Sequence, residues 1–338
     1  MFQMAEVDNS PVDPYETGLL LAQAYPERIA FARPGNNAQF KLSNGKIAMA
    51  GHRDDLAHES WLAIAHMDAR DGMGKIFMAS PLNPKDLAPM VKSMEVIKWD
   101  TKDGGLIANK ELRIGSIVLQ SVPLPDPDPE HLEQAICDAV KSEGQHLLNW
   151  DKEVIQWQNR ILSLRRWSPQ ANWPDVSQAY LLSTNEEWLK PYLNKIKKPE
   201  DLKKIDLKEV LHYHLPIEQQ GLLDQLAPEK VEVPSGSNIK IEYFQDGAPP
   251  VLAVRLQELF GLLETPKVNN GTTSLLMHLL SPGFKPVQVT SDLKSFWSDA
   301  YFEVRKELKR RYPKHAWPEN PLEAKAISGV DRSKKKKP

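Results

Sequence analysis

Hydrophobic side chains recur along this chain with two different periods, and the changes of period divide it into regions. From Gly18 to Leu124 the apolar positions mostly alternate with polar ones, as half-buried strands require. Leu19 to Ala30 predicts a short helix closed at Pro26, because proline disfavours helical backbone in the residue before it. Phe40 and Leu42 then alternate into Asn44-Gly45, with Ile47 and Met49 beyond, a strong hairpin signal. Trp61 to Met67, Lys75 to Ala79, Val96 to Trp99 and Leu112 to Leu119 supply further short strands between Gly or Asp-Gly turns. Strands this short and this close together predict a small closed barrel.

Pro123-Leu-Pro-Asp-Pro-Asp-Pro-Glu then reads as a stiff linker, since its prolines fix φ and remove backbone donors. Beyond it, Glu130 to Trp150 and Asp151 to Trp167 place apolar residues three and four apart (Leu132, Ile136, Val140; Ile155, Ile161, Leu162), the spacing of buried helical faces. Asp206-Leu-Lys-Glu opens another helix with a capping signal, and Ile217 to Leu226 predicts the next. After Pro228 the period returns to two through Val231, Val233, Ile239, Ile241 and Tyr243, with Ser235-Gly-Ser as the turn. Leu252 to Leu263 predicts helix, Val287 and Val289 strand, and Leu293 to Tyr312 a long amphipathic helix. The expected fold class is multidomain α+β. Its parts are a flexible lead-in (1–17), a small β-barrel (18–124), a helical region (125–228), an α+β domain (229–322) and a disordered basic tail (323–338).

With 338 residues and ordinary hydrophobic and charged fractions, the chain belongs among multidomain globular proteins. Its single cysteine, Cys137, excludes a disulfide framework and a cysteine-based zinc site, and points to a reducing cytoplasm. The amino terminus lacks a basic start followed by an apolar run, and no apolar stretch reaches membrane-spanning length, so neither export nor insertion is expected. Net charge is near zero but uneven: from Tyr301 onward there are twelve Lys or Arg against five Asp or Glu. Part of that excess is the run Arg332-Ser-Lys-Lys-Lys-Lys, which cannot bury its charge.

The residues that could carry chemistry are mostly read as structural. His212 and His214 lie two apart, which on a helix turns them to different faces, so no metal site is expected. Asp126, Asp128 and Glu130 sit where acidic groups cap a following helix. Ser235 lacks the flanking Gly-x-Ser-x-Gly of a nucleophile turn, and no catalytic residue is assigned. The scattered tryptophans fit core or interface anchors. Arg305, Lys306, Lys309, Arg310, Arg311 and Lys314 differ from these, since cations three to five apart on a helix make a stripe suited to phosphates. Tyr312 and Trp317 flank it, in Tyr-Pro and Trp-Pro pairs that more often lock a chain end against its own core.

Several unusual sequences occur in a fixed order in the last third. They are Val233-Pro-Ser-Gly-Ser, Gly247-Ala-Pro-Pro-Val-Leu-Ala-Val-Arg-Leu-Gln-Glu-Leu-Phe-Gly-Leu, His278-Leu-Leu-Ser-Pro, Lys285-Pro-Val-Gln-Val-Thr-Ser-Asp-Leu, Phe296-Trp, Glu303-Val-Arg-Lys-Glu-Leu and Arg311-Tyr-Pro-Lys-His-Ala-Trp-Pro-Glu-Asn-Pro. Together they resemble the carboxy-terminal domain of the HrpB family, bacterial DEAH-box ATP-dependent RNA helicases. Asp175-Val-Ser and Glu187-Trp-Leu-Lys-Pro-Tyr-Leu extend the resemblance upstream, and Ala22-Gln-Ala-Tyr-Pro-Glu-Arg-Ile-Ala looks like the opening of the OB-fold that follows the motor in such helicases. Two departures stand out: Asn320 where the family usually has Asp, and Thr272 where relatives tend to carry Arg after the glycine.

A helicase motor needs a Gly-rich loop ending in Lys-Ser/Thr and an acidic pair for magnesium. Gly72-Met-Gly-Lys-Ile has too short a loop and no hydroxyl residue after its lysine, and no Asp-Glu-x-His box occurs. The resemblance therefore implies an auxiliary region of a helicase, with ATP and magnesium held by motor domains in cis. Single-stranded RNA is the implied partner. In an OB-like barrel the strand would cross the face held by basic and aromatic side chains. Arg28, Arg33, Lys41, Lys46, Arg53 and Lys75 are the basic candidates there, and Tyr25, Phe40 and Trp61 the aromatic ones. The rival reading is a protein-interaction module that docks an unidentified protein partner, with nucleic-acid contact incidental.

Overall fold

The computed structural model describes residues 11–52, 54–68, 72–100 and 104–329 of a mixed α+β chain that divides into two compact units, Met1–Ala135 and Ile136–Pro338. Arg53, the first ten residues and the Arg332 to Lys337 run lie outside the described residues.

In the first unit, helix α1 (Pro14–Ala24) begins earlier than the apolar run from Leu19 predicts. Asp13 supplies the cap, its side chain accepting from the Tyr15 N–H at 2.9 Å, and Pro14 fits the first turn. Residues 14–17 of the expected lead-in are thus helical. Gly18 is where α1 meets the barrel: a Cβ there would lie 2.0 Å from the Pro81 carbonyl oxygen, so only glycine permits the approach.

Strands β1 (Ile29–Arg33), β2 (Asn36–Leu42), β3 (Ile47–Met49), β4 (Trp61–Met67) and β5 (Met73–Pro81) close a barrel in the order β1-β2-β3-β5-β4, with β3 and β5 parallel. The Asn44-Gly45 hairpin joins β2 to β3, with the Asn44 side chain accepting from the Lys46 N–H at 3.0 Å. Strict alternation gives this barrel two cores. Ala30, Phe40, Leu42, Ala48, Leu62 and Ile64 fill its interior. Ile29, Trp61 and Ala63, each next in sequence to an interior residue, point outward and are covered by Ala22, Leu82, Leu87, Ile114 and Ile117.

Ile114 and Ile117 come from a separate three-stranded antiparallel sheet, β6 (Lys92–Trp99), β7 (Leu106–Ile114) and β8 (Ile117–Pro123). The strands expected around Val96 and Leu112 therefore do not belong to the barrel, and Leu112 to Leu119 is a hairpin rather than one strand. The tight turn at Gly115-Ser116 is the reason. Gly115 has φ +56, and a Cβ on it would sit 2.2 Å from the Ser43 carbonyl oxygen.

Helix α2 (Pro129–Leu147) opens on Asp128, whose carboxylate accepts from the Glu130 N–H at 2.9 Å. In the second unit, α3 (Lys152–Trp167) is capped by Asp151, which accepts from the Glu153 and Val154 N–H groups. Its buried side is Val154, Trp157, Ile161 and Leu164; of the stripe read in the sequence, Ile161 is fully buried and Leu162 half-buried, whereas Ile155 is 43% exposed. Arg160 is buried in the same face. It donates to the carbonyl oxygens of Ala227 and Leu223 and pairs with Asp224 and, at 3.3 Å, with Glu229.

Short helices follow: α4 (Gln178–Ser183), α5 (Asn185–Leu189), α6 (Pro199–Leu202), α7 (Leu207–His214) and α8 (Ile217–Leu226). Asp206 caps α7, accepting from the Glu209 N–H at 3.0 Å.

The chain then builds a five-stranded sheet from β9 (Lys230–Glu232), β10 (Asn238–Glu242), β11 (Val251–Arg255), β14 (Leu276–Leu280) and β15 (Pro286–Thr290). Its order is β15-β14-β11-β10-β9, with β11 and β14 parallel. A small ladder of β12 (Lys267–Val268) and β13 (Thr273–Ser274) lies between β11 and β14 in sequence. The helix expected over Leu252 to Leu263 is not formed. Val251, Leu252 and Val254 are buried in the central strand β11 while Ala253 is exposed, and an apolar residue at the exposed position makes the strand read as a continuous apolar run. Only Leu256–Leu259 is helical, as one 3-10 turn.

The long amphipathic helix is present as one helical run, α9 (Leu293–Ser295), a π turn (Phe296–Ala300) and α10 (Tyr301–Arg311). Phe260, Phe296, Trp297 and Tyr301 cluster beneath it, with the Trp297 and Tyr301 rings 5.3 Å apart.

Candidate nucleic-acid interface

On the barrel, strand register decides which cations share a face. Lys41 on β2 pairs with Phe31 on β1 and Ile47 on β3, and Ile47 pairs with Met73 on β5. The next outward row is Gln39, Met49 and Lys75 on β2, β3 and β5. The positions between these rows, Phe40, Ala48 and Gly74, are buried toward the interior. Lys41 and Lys75 therefore stand on one outer face. Arg33 joins them, its guanidinium donating to the Gln39 side chain at 3.1 Å.

Sequence reasoning missed the aromatic member of this face. Phe77 is two residues beyond Lys75 on the same side of β5 and is 55% exposed; the Lys75 ammonium lies 5.5 Å from its ring centroid and the His66 ring 5.3 Å away. Period-two alternation from Lys75 was the available signal. Phe40 and Trp61, the aromatics the sequence suggested, are buried in the inner and outer cores and present nothing to a ligand. Tyr25 is exposed, but Arg28 lies over its ring at 4.9 Å and donates to the Ala65 carbonyl oxygen at 2.9 Å, which ties both to the fold.

In the second unit, Lys306, Lys309, Arg310 and Arg311 are exposed along α10, and Lys314 in the turn after it. Arg305 is turned inward: it donates to the Trp317 carbonyl oxygen at 3.0 Å and pairs with Glu319 at 3.3 Å. Trp317 is buried and donates to the Tyr312 carbonyl, and Tyr301 donates to the Pro318 carbonyl, so the Tyr-Pro and Trp-Pro pairs lock the chain end as their sequence suggests. A shallow cavity of about 580 Å³ runs along Phe302, Glu303, Arg305, Lys306, Lys309 and Arg310. Part of the expected tail is held as well, since the Ile327 N–H donates to the Gln257 carbonyl oxygen at 3.0 Å.

The Val233-Pro-Ser-Gly-Ser turn is structural. Ser235 donates to Glu258 at 2.9 Å, and Arg255 donates to the same carboxylate at 2.8 Å. Burial pushes the Glu258 carboxyl up, but hydrogen bonds from Ser237, Arg255 and Ser235 outweigh it and hold the group below its ordinary value. His315, bonded to Gln257 at 3.1 Å, is lowered by burial and by the Arg255 charge. Among the described residues no three His, Cys, Asp or Glu side chains gather as metal ligands, and no helix is long and apolar enough to cross a membrane.

A family model described as the ATP-dependent helicase C-terminal domain of HrpB matches residues 188–321, and one described as the connector region of ATP-dependent RNA helicase HrpB matches residues 90–124. The chain is 36% identical over 327 residues to the ATP-dependent RNA helicase HrpB of Escherichia coli (strain K12), covering 94% of this chain and 39% of that protein. The crystal structure of the E. coli DExH-box NTPase HrpB is similar at a TM-score of 0.60 and 35% identity, over 93% of this chain and 39% of that one. A second crystal structure, of the E. coli DEAH/RHA helicase HrpB, gives a TM-score of 0.53 over 89% of this chain and 38% of that one. The chain thus spans about two fifths of the length of the relatives it matches.

Proposed function

We propose that this chain, which carries the connector and C-terminal domain of the HrpB helicase family, works as the strand-guiding region of an ATP-dependent RNA helicase. One observation carries the RNA half of this reading: Arg33, Lys41, Lys75 and Phe77 converge on the outer face of β1, β2, β3 and β5. The barrel's strand order supports an OB-fold, whose nucleic-acid surface is the face of its second and third strands. Cations there would neutralise phosphates without reading sequence, and Phe77 would stack on a base.

ATP and magnesium belong to motor domains working in cis. The sequence offers no phosphate-cradling loop for them, and among the described residues no acidic set gathers. The one cysteine, Cys137, allows no disulfide framework within the chain, which suits a cytoplasmic setting.

The test is fluorescence anisotropy of a labelled single-stranded RNA at low and moderate salt. Micromolar or tighter binding that weakens steeply with salt, and is lost in Lys41→Glu/Lys75→Glu, supports the reading. Equal binding by that variant removes the barrel from it.

The alternative is a docking surface for protein, including the motor itself. It is favoured by the exposed Met94 and Val118, which the register puts on one face of the β6–β8 sheet, and by exposed Leu119 at the irregularity beside Val118, in the segment that the connector model matches. Binding to a protein partner that ignores salt and disappears in Met94→Asp/Leu119→Asp would establish it.

A further inference from the structure

The turn between β14 and β15 presents an aromatic ring in a backbone conformation that aromatic residues avoid. Phe284 has φ +59 and is 67% exposed. Its N–H donates to the Ser281 carbonyl at 2.9 Å, the Ser281 N–H to the Lys285 carbonyl at 2.8 Å, and the Lys285 N–H to the Ser281 hydroxyl at 3.1 Å. Hairpin loops normally give this left-handed position to glycine or asparagine, and here the glycine, Gly283, stands one residue earlier. Backbone strain at an exposed position persists where the residue has work to do.

Two further observations say what kind of work. One face of the Phe284 ring carries the Arg255 guanidinium, 4.9 Å from the centroid. Arg255 is itself fixed by the buried Glu258, which the Ser235 hydroxyl also holds. The ring is therefore backed from within the fold, and its exposed side is outward. The turn also abuts the end of the basic helix: the Tyr312 hydroxyl lies 3.4 Å from the Ser281 hydroxyl, and Arg311 stacks over Tyr312 at 5.7 Å. Exposed Lys285 and Lys314 flank the two segments that meet there.

We propose that Phe284 is a stacking platform for an unpaired base of single-stranded RNA, with Arg311, Lys314 and Lys285 neutralising the adjoining phosphates. The proposal rests on the reading of this chain as an RNA-guiding region, and adds a second contact point in the second unit. A flat apolar ring backed by a guanidinium accepts any base, and the cations around it add salt-dependent but sequence-independent attraction. The competing explanation is that the ring only shields Arg255.

The test uses the full chain and a labelled oligo-uridine. Phe284→Gly suits the left-handed backbone, so its melting temperature should stay level or rise by roughly 2 °C, while the dissociation constant should rise roughly tenfold with an unchanged salt slope. Phe284→Trp should bind as the parent does. Arg311→Ala/Lys314→Ala should lower the salt slope by about one for each cation removed. Parent-like affinity in Phe284→Gly overturns the platform; if Lys41→Glu/Lys75→Glu still loses binding, the barrel reading survives that failure. Loss in Phe284→Gly with full binding by the barrel variant leaves the platform standing and removes the barrel. If the parent chain itself binds no RNA, both fall.

Discussion

The barrel face and helix α10 both gather cations, but by opposite routes. On the barrel, Arg33 and Lys41 come from consecutive strands and Lys75 from one more than thirty residues on, and they meet only because the register of β1, β2, β3 and β5 aligns them. On α10 the cations follow one another, yet Arg305 is drawn inward to Trp317 and Glu319 while Lys306, Lys309 and Arg310 remain outward. Neighbourhood and direction are separate properties. A helix supplies the first from spacing alone, and a strand supplies the second from alternation alone. The contrast also divides positive charge by use: inward cations should contribute stability, and outward ones salt-dependent affinity.

The hardest blow to that division would come from Arg160, the most deeply enclosed cation of the second unit. Arg160→Ala takes the guanidinium away from the Ala227 and Leu223 carbonyls and the Asp224 and Glu229 carboxylates, of which Glu229 keeps Lys208 at 2.9 Å, and should lower unfolding stability by about 3 kcal/mol in a urea titration. A loss below about 1 kcal/mol would show that this inward cation is dispensable.

On the outward side, Lys41→Glu/Lys75→Glu should weaken single-stranded RNA binding by about 2 kcal/mol, roughly thirtyfold, and flatten its salt dependence, with an unchanged urea midpoint. Arg305→Ala sharpens the comparison within one helix. It should remove about 1 kcal/mol of stability and leave the salt slope alone, whereas Lys309→Ala should do the reverse. Identical slopes for the two variants would erase the distinction.

The smallest effect concerns His315, whose folded value lies below its ordinary 6.5. The unfolded chain therefore takes up the proton first, so the contribution is intact above about pH 6.5 and is lost as pH falls below it toward the folded value. Melting curves of the parent and His315→Gln between pH 7.5 and about 5 should converge on acidification. A constant gap would mean that the imidazole takes up its proton equally in the folded and unfolded states.

Much of this architecture was legible in the chain. Asn44-Gly45 announced its hairpin, Asp151 and Asp206 announced their helices, and the prolines after Pro123 marked where strand gives way to helix. What failed had physical causes. Val251 to Val254 reads as helix because an apolar residue, Ala253, stands at the exposed position and hides the strand's alternation. Phe40 and Trp61 read as ligand contacts because sequence does not say which of two opposite faces of a barrel strand is also covered. Phe284 went unnoticed since nothing local marks an aromatic residue in a turn as exposed, Phe77 since alternation from Lys75 gives its side of the strand but not whether that side is open, and Arg160 since an arginine in an apolar stripe gives no sign of its partners.

The pairing of β11 with β14 sets a timetable for the second unit. These central strands are parallel, and residues 256–275 must be made and ordered between them. During synthesis β11 can pair early with β10, but its other edge stays open until Leu276–Leu280 arrives. Such non-local closure is slow, and an open apolar edge is a template for the wrong partner. The β14–β15 hairpin, made last of the sheet and local in its own pairing, is then the piece that completes the domain. A ribosome paused before Pro286 would hold a sheet still lacking its final strand.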